Sequence, residues 1–110
     1  MKAIKRHIHE IYTELQLEKP TLTEAMFSCD YLGRSKCYYS YVMTTENDAS
    51  EKVLLNLWGQ LRYQKLLSEK TEASAHPAIK LLVANTTELY SSLSQKAFQA
   101  INERAMELAR

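Results

Sequence analysis

Glycine and proline are nearly missing from this sequence: two of each stand among 110 residues. An all-β chain needs turn residues about every 8–12 positions, so that class is excluded and a mostly helical chain is expected. Long apolar runs are missing too. No stretch approaches the roughly 18 residues of a membrane-spanning helix, so no membrane partner is expected. The start, "MKAIKRHIHE", is basic but lacks the apolar core of a signal peptide, and a cytoplasmic location is expected.

Charge of one sign is scarce. The formal net charge is +1, with nine Lys/Arg against eight Asp/Glu in residues 1–67 and five of each in 68–110. Neither half is a polybasic arm, so a nucleic-acid role would rest on local placement of charge. Cysteine is limited to Cys29 and Cys37. Their spacing fits no common zinc motif, and in the cytoplasm they are expected as reduced thiols. Catalytic signatures are absent: no GxSxG, no glycine-rich phosphate loop, no HExxH. His7 and His9 are two apart on a helix and point away from each other, a poor start for a metal site. No enzyme activity, cofactor or metal is expected.

What is present is helical periodicity. Ile4, Ile8, Ile11, Tyr12 and Leu15 form a stripe at spacings of three and four, predicting a first helix over about Lys2 to Gln16. Pro20 ends it. Thr21 with Glu24 reads as a capping box for a second helix, with Thr23 as a competing cap. Gly33 suits the left-handed position that ends that helix. Ser35 then caps a third helix, about Lys36 to Met43. Asp48 with Glu51 repeats the cap spacing, and Val53, Leu54, Leu57, Trp58 and Leu61 form the stripe of a fourth. Gly59, inside it at a cost of about 1 kcal/mol, predicts another helix packed against its bare backbone.

"SEKTEASAHP", Ser68 to Pro77, is small and polar and predicts a connector. Pro77 suits the first turn of the next helix. From there to Arg110 the periodicity stays helical, either broken near Asn85 by the cap-like "NTTE" or continuous and paired with a second chain. The expected organisation is a 1–67 unit, a 68–77 connector and a 78–110 segment that joins the same core or forms a dimer seam.

The densest chemistry lies in "FSCDYLGRSKCYYSYV", Phe27 to Val42, which holds both cysteines and four of the seven tyrosines. Helix, glycine corner, cap and helix follow one another there. Cys29 is the small residue at the helix crossing. Gly33 makes the turn, Ser35 the cap, and Tyr39 with Val42 the buried anchors. Arg34, Ser35, Lys36, Cys37, Ser40, Tyr41 and Thr44 remain for the outer face. Arg34 and Lys36 can meet phosphates or guanine, and Ser40 and Tyr41 can add hydrogen bonds. Backbone N–H groups of the helix after Gly33 can meet a phosphate, and Lys5 and Arg6 can add backbone contacts.

"CDYLGRSKCYYS" resembles the helix-turn-helix of phage-repressor and Cro-like regulators, roughly A-x-x-x-G-[apolar]-S-x-x-x-[VI]-S. Cys29 stands at the alanine site, and Gly33 and Ser35 match. Arg34 stands where an apolar residue is usual, and Tyr39 replaces a smaller β-branched one. "FSCDYLGRSKCYYS" is also similar to a stretch of short uncharacterised bacterial proteins, over about the first 65 residues. The resemblance implies an all-α protein whose N-terminal helix-turn-helix carries one or two C-terminal packing or dimerisation helices. It implies a homodimeric bacterial or phage-type transcriptional regulator that reads double-stranded DNA with the seven residues named. The alternative is a helical protein-interaction module that keeps the corner and reads no DNA.

Overall fold

A computed structural model describes residues 3–109. Within them the chain is all-α, with five helices: α1 (Ala3–Glu18), α2 (Glu24–Asp30), α3 (Tyr38–Thr44), α4 (Glu51–Ser74) and α5 (Pro77–Ala109). The expected start of α1 at Lys2 lies outside the described residues.

The sequence stripe of α1 is its buried face: Ile4, Ile8, Ile11 and Leu15 are fully buried. Each such aliphatic side chain contributes about 1.5–3 kcal/mol by leaving water. They meet Phe27 and Leu32 from the corner, Leu54, Leu57 and Leu61 from α4, and Leu93, Ala97 and Ala100 from α5 in one core. The alanines of α5 keep its surface low, which lets neighbouring helices approach closely.

Helices α4 and α5 form an antiparallel hairpin. Ser68 Oγ lies 2.6 Å from Thr87 Oγ1 near its tip, and the Trp58 and Phe98 rings sit 6.4 Å apart near its base. Helix α1 lies antiparallel on α5. His7 Nε2 is 3.3 Å from a Glu103 oxygen, Lys96 bridges to Glu10 at 3.6 Å and to Glu14 at 3.1 Å, and Thr86 donates to Glu18 at 3.2 Å.

Several sequence expectations change. Thr23, rather than Thr21, caps α2 by accepting from Met26 N–H at 3.1 Å. Ser50, rather than Asp48, caps α4 through Val53 N–H; Asp48 instead accepts from Ala49 N–H. The 68–77 connector shrinks to Ala75 and His76, because α4 runs on to Ser74. Its polar residues ride on a helix rather than a loop, with Ser68 buried against α5. Helix α5 does not break at Asn85. Thr86 and Thr87 bond back to the carbonyls of Leu82 and Val83, the in-helix pattern for these hydroxyls, and cap nothing. At about 1.5 Å per residue its 33 residues match the 49 Å long axis of the molecule. Gly59 is exposed, and a Cβ built on it meets nothing within 4 Å, so among the described residues no helix packs there.

Candidate nucleic-acid interface

The corner begins with two turns of α2 that bury Phe27 and Ser28. The chain leaves α2 by widening its last turn: Tyr31 and Leu32 N–H both reach the Phe27 carbonyl, and Arg34 N–H reaches that of Ser28 at 2.9 Å. This path takes Gly33 to φ +68°, where an L side chain is strained, as the sequence predicts for a helix-ending glycine. A Cβ there would also lie 2.7 Å from Asn56 Nδ2. That amide is already placed, donating from α4 to the Leu32 carbonyl at 3.3 Å. Asn56 thus pins the corner to α4, a role no local sequence signal announces.

Seven residues, Tyr31 to Cys37, separate α2 from α3, against the three or four of a typical DNA-binding corner. Ser35 does not cap α3 with its side chain. Its carbonyl accepts from Tyr38 N–H in a turn, and Cys37 is the cap residue without a side-chain bond. The cap comes from across the corner: Ser28 Oγ, fully buried, accepts from Tyr39 N–H at 2.9 Å. Cys29 is exposed. The small residue at the crossing is therefore Ser28, one position earlier than the motif alignment sets it, because the widened turn shifts the register. The start of α3 offers few free N–H groups to a phosphate: Tyr38 N–H goes to Ser35 and Tyr39 N–H to Ser28.

Tyr39 is the anchor, as expected. Its ring packs 4.9 Å from that of Tyr12 and edge-on, 5.5 Å, to Phe27. Its hydroxyl pairs with His9 Nδ1 at 2.9 Å. Burial, with the negative charge of Glu24 and then Tyr12 adding to it, pushes the phenol up to about 12. The oversized side chain is accommodated by an aromatic cluster instead of the small pocket a valine would fill.

Arg34, Ser35, Lys36, Cys37, Ser40, Tyr41 and Thr44 are all exposed. Val42, between them in sequence, is buried. The Arg34 guanidinium stacks 5.2 Å over the Tyr38 ring. Burial raises the Tyr38 phenol, with the Ser50 backbone and Arg34 pulling the other way. Asn47 donates to the Tyr41 hydroxyl at 2.6 Å, and Thr44 Oγ1 donates to the Ser40 carbonyl.

Lys5 leaves the candidate surface. It is 7 % exposed, and its ammonium donates to the Thr45 carbonyl at the end of α3. A buried lysine needs such a partner, and this one ties α1 to α3. Arg6 is exposed. The corner is also less cationic than the motif suggests. Between Glu24 and Asp48, Arg34 and Lys36 stand against Glu24, Asp30, Glu46 and Asp48. His7 and His9 engage different partners, Glu103 and Tyr39.

A family model described as a family of unknown function (DUF6626) matches residues 8–110. The chain belongs to that family. The match covers the corner and the whole α4–α5 hairpin alike. No curated protein and no solved structure matches the chain.

Proposed function

We propose that the corner is a DNA-reading surface and that the protein is a small DNA-binding regulator. One observation carries this reading: the polar side chains of the stretch, Arg34 to Thr44, face solvent together, while Phe27, Ser28, Leu32, Tyr39 and Val42 form a buried and rigid base beneath them. A rigid base with a polar outer face is what reading base edges requires. A helix with its side chains is about 10–12 Å across, which a major groove roughly 12 Å wide admits, and α3 offers two turns of it. Arg34 and Lys36 supply the positive contacts, and Ser40, Tyr41 and Thr44 the hydrogen bonds. With two cations beside four carboxylates, one protomer binds weakly, and useful affinity requires a second corner on the same duplex. The test is selection from a random DNA library with the purified protein. Enrichment of a defined motif is the expected result, and an unenriched pool after repeated rounds rejects the reading.

A second reading, a helical protein-interaction module, draws on a different observation. Lys5 is withdrawn from the surface, and most of the exposed large apolar side chains sit on the α4–α5 hairpin rather than on the corner. Under that reading the DNA library yields nothing and the hairpin carries the partner.

A further inference from the structure

Helix α5 carries one continuous stripe at spacings of three and four: Ile79, Leu82, Thr86, Tyr90, Leu93, Ala97 and Ala100. From Tyr90 onward the stripe is core. It is covered by α1, which follows it in the opposite direction from His7 at Glu103 to Glu18 at Thr86. Then α1 ends: Lys19 N–H closes the last turn on the Leu15 carbonyl, and Pro20 turns the chain away. Past Thr86 the same stripe is bare. Leu82 is 67 % exposed and Ile79 50 %, and across the hairpin Leu67 of α4 is 40 % exposed. A shallow groove of ≈ 290 Å³ runs between Leu67, Thr71, Val83 and Thr86. The hairpin thus projects an uncovered end of the protein's own core.

We propose that this tip is a homodimer interface, covered by the tip of a second copy of the chain. Two antiparallel hairpins brought together about a two-fold axis bury their open stripes in a four-helix arrangement, a stable packing for such hairpins. Charge favours a second copy over a charged foreign partner. From Arg62 to Glu88, Arg62, Lys65, Lys70 and Lys80 nearly balance Glu69, Glu72 and Glu88. The tip neither repels its own copy nor selects an oppositely charged surface. The open stripe offers a second copy apolar surface to cover: Leu67, Ile79 and Leu82 are each 40 % exposed or more. The seam is therefore narrower than residues 78–110, because α1 and α4 already use the stripe from Tyr90 onward. This inference does not rest on the DNA reading, although a dimer would supply that reading's second corner.

The experiment is sedimentation equilibrium on the full chain from low micromolar to submillimolar concentration. Deleting α5 would strip Leu93 and Ala97 from the core, so point variants are used. The wild type should show a monomer–dimer equilibrium. Ile79→Glu with Leu82→Glu should weaken it at least about tenfold, because each carboxylate would be buried on association. Met106→Glu, at a 59 % exposed apolar site at the other end of α5, should leave it unchanged. As an independent readout, the wild-type Tm should rise with protein concentration, and that of the double variant should not. If the glutamates unfold the chain, Leu82→Gln takes their place and should weaken the dimer in the same direction. A wild type that stays monomeric throughout overturns the proposal. So does a dimer that survives the tip substitutions, or one that Met106→Glu breaks instead.

Discussion

The Ser28 hydroxyl accepts the backbone N–H of Tyr39 at 2.9 Å, eleven residues away and fully buried. One side chain of α2 thereby closes the start of α3, and the corner becomes a single rigid piece. Ser28→Ala leaves the Tyr39 N–H buried without a partner, at a cost of about 1–3 kcal/mol. Thermal unfolding should show Tm lower by several degrees. Cys29→Gln should melt like the wild type, because its side chain is exposed. The reverse order, with Cys29→Gln harmful and Ser28→Ala neutral, would restore the motif alignment that makes Cys29 the crossing residue.

The two glycines should respond with opposite signs. Gly33→Ala puts a Cβ at φ +68° and 2.7 Å from Asn56 Nδ2. The strained backbone and the displaced amide together cost about 1–3 kcal/mol. Gly59→Ala adds its methyl to open space in mid-helix and should stabilise by about 0.5–1 kcal/mol. Urea unfolding measures both. A destabilising Gly59→Ala would mean that something packs on that face of α4 in solution.

Tyr39 makes the fold sensitive to alkali. Its phenol is raised to about 12 in the folded chain, against about 10 when unfolded. Between those values the folded state holds a proton that the unfolded state has lost. Stability is therefore full below pH 10 and declines as pH rises towards 12. Tyr39→Phe should flatten that decline. At neutral pH it should cost about 1 kcal/mol for the lost bond to His9. Denaturant midpoints measured across this range check both effects; an equally steep alkaline decline in the variant would assign the sensitivity to other tyrosines.

The DNA reading concentrates positive charge in two residues. Arg34→Glu with Lys36→Glu should abolish retention on the selected DNA and leave the circular-dichroism melt unchanged, since both side chains are exposed. Retention unaltered by the double substitution would remove the corner from DNA binding. For the wild type, two phosphate contacts per protomer give a salt slope near −1.8 per corner by the usual ~0.9 per phosphate, and titration at several salt concentrations measures it.

The all-α class and most of the buried set are legible in the residues alone. Scarce glycine and proline left no route to a sheet. Ile4, Ile8, Ile11 and Leu15 announced their face by spacing alone, because burial of a helix stripe is set by a period of about 3.6 residues. Gly33 announced its backbone, because few other residues tolerate that φ. Features that depend on partners distant in the chain emerge with the packing of the helices. One step along a helix turns a side chain by about 100°, so whether Ser28 or Cys29 fills the crossing followed from the widened turn, not from composition. Lys5 looked like a surface cation until the Thr45 carbonyl, forty residues on, gave its ammonium a buried partner. Asn56 gave no local sign that it would hold the Leu32 carbonyl. The exposure of Ile79 and Leu82 was likewise hidden, because their stripe is identical in kind to that of Leu93 and Ala97. The difference is that α1 ends opposite Thr86, and a hydrophobic stripe is buried only as far as another helix reaches.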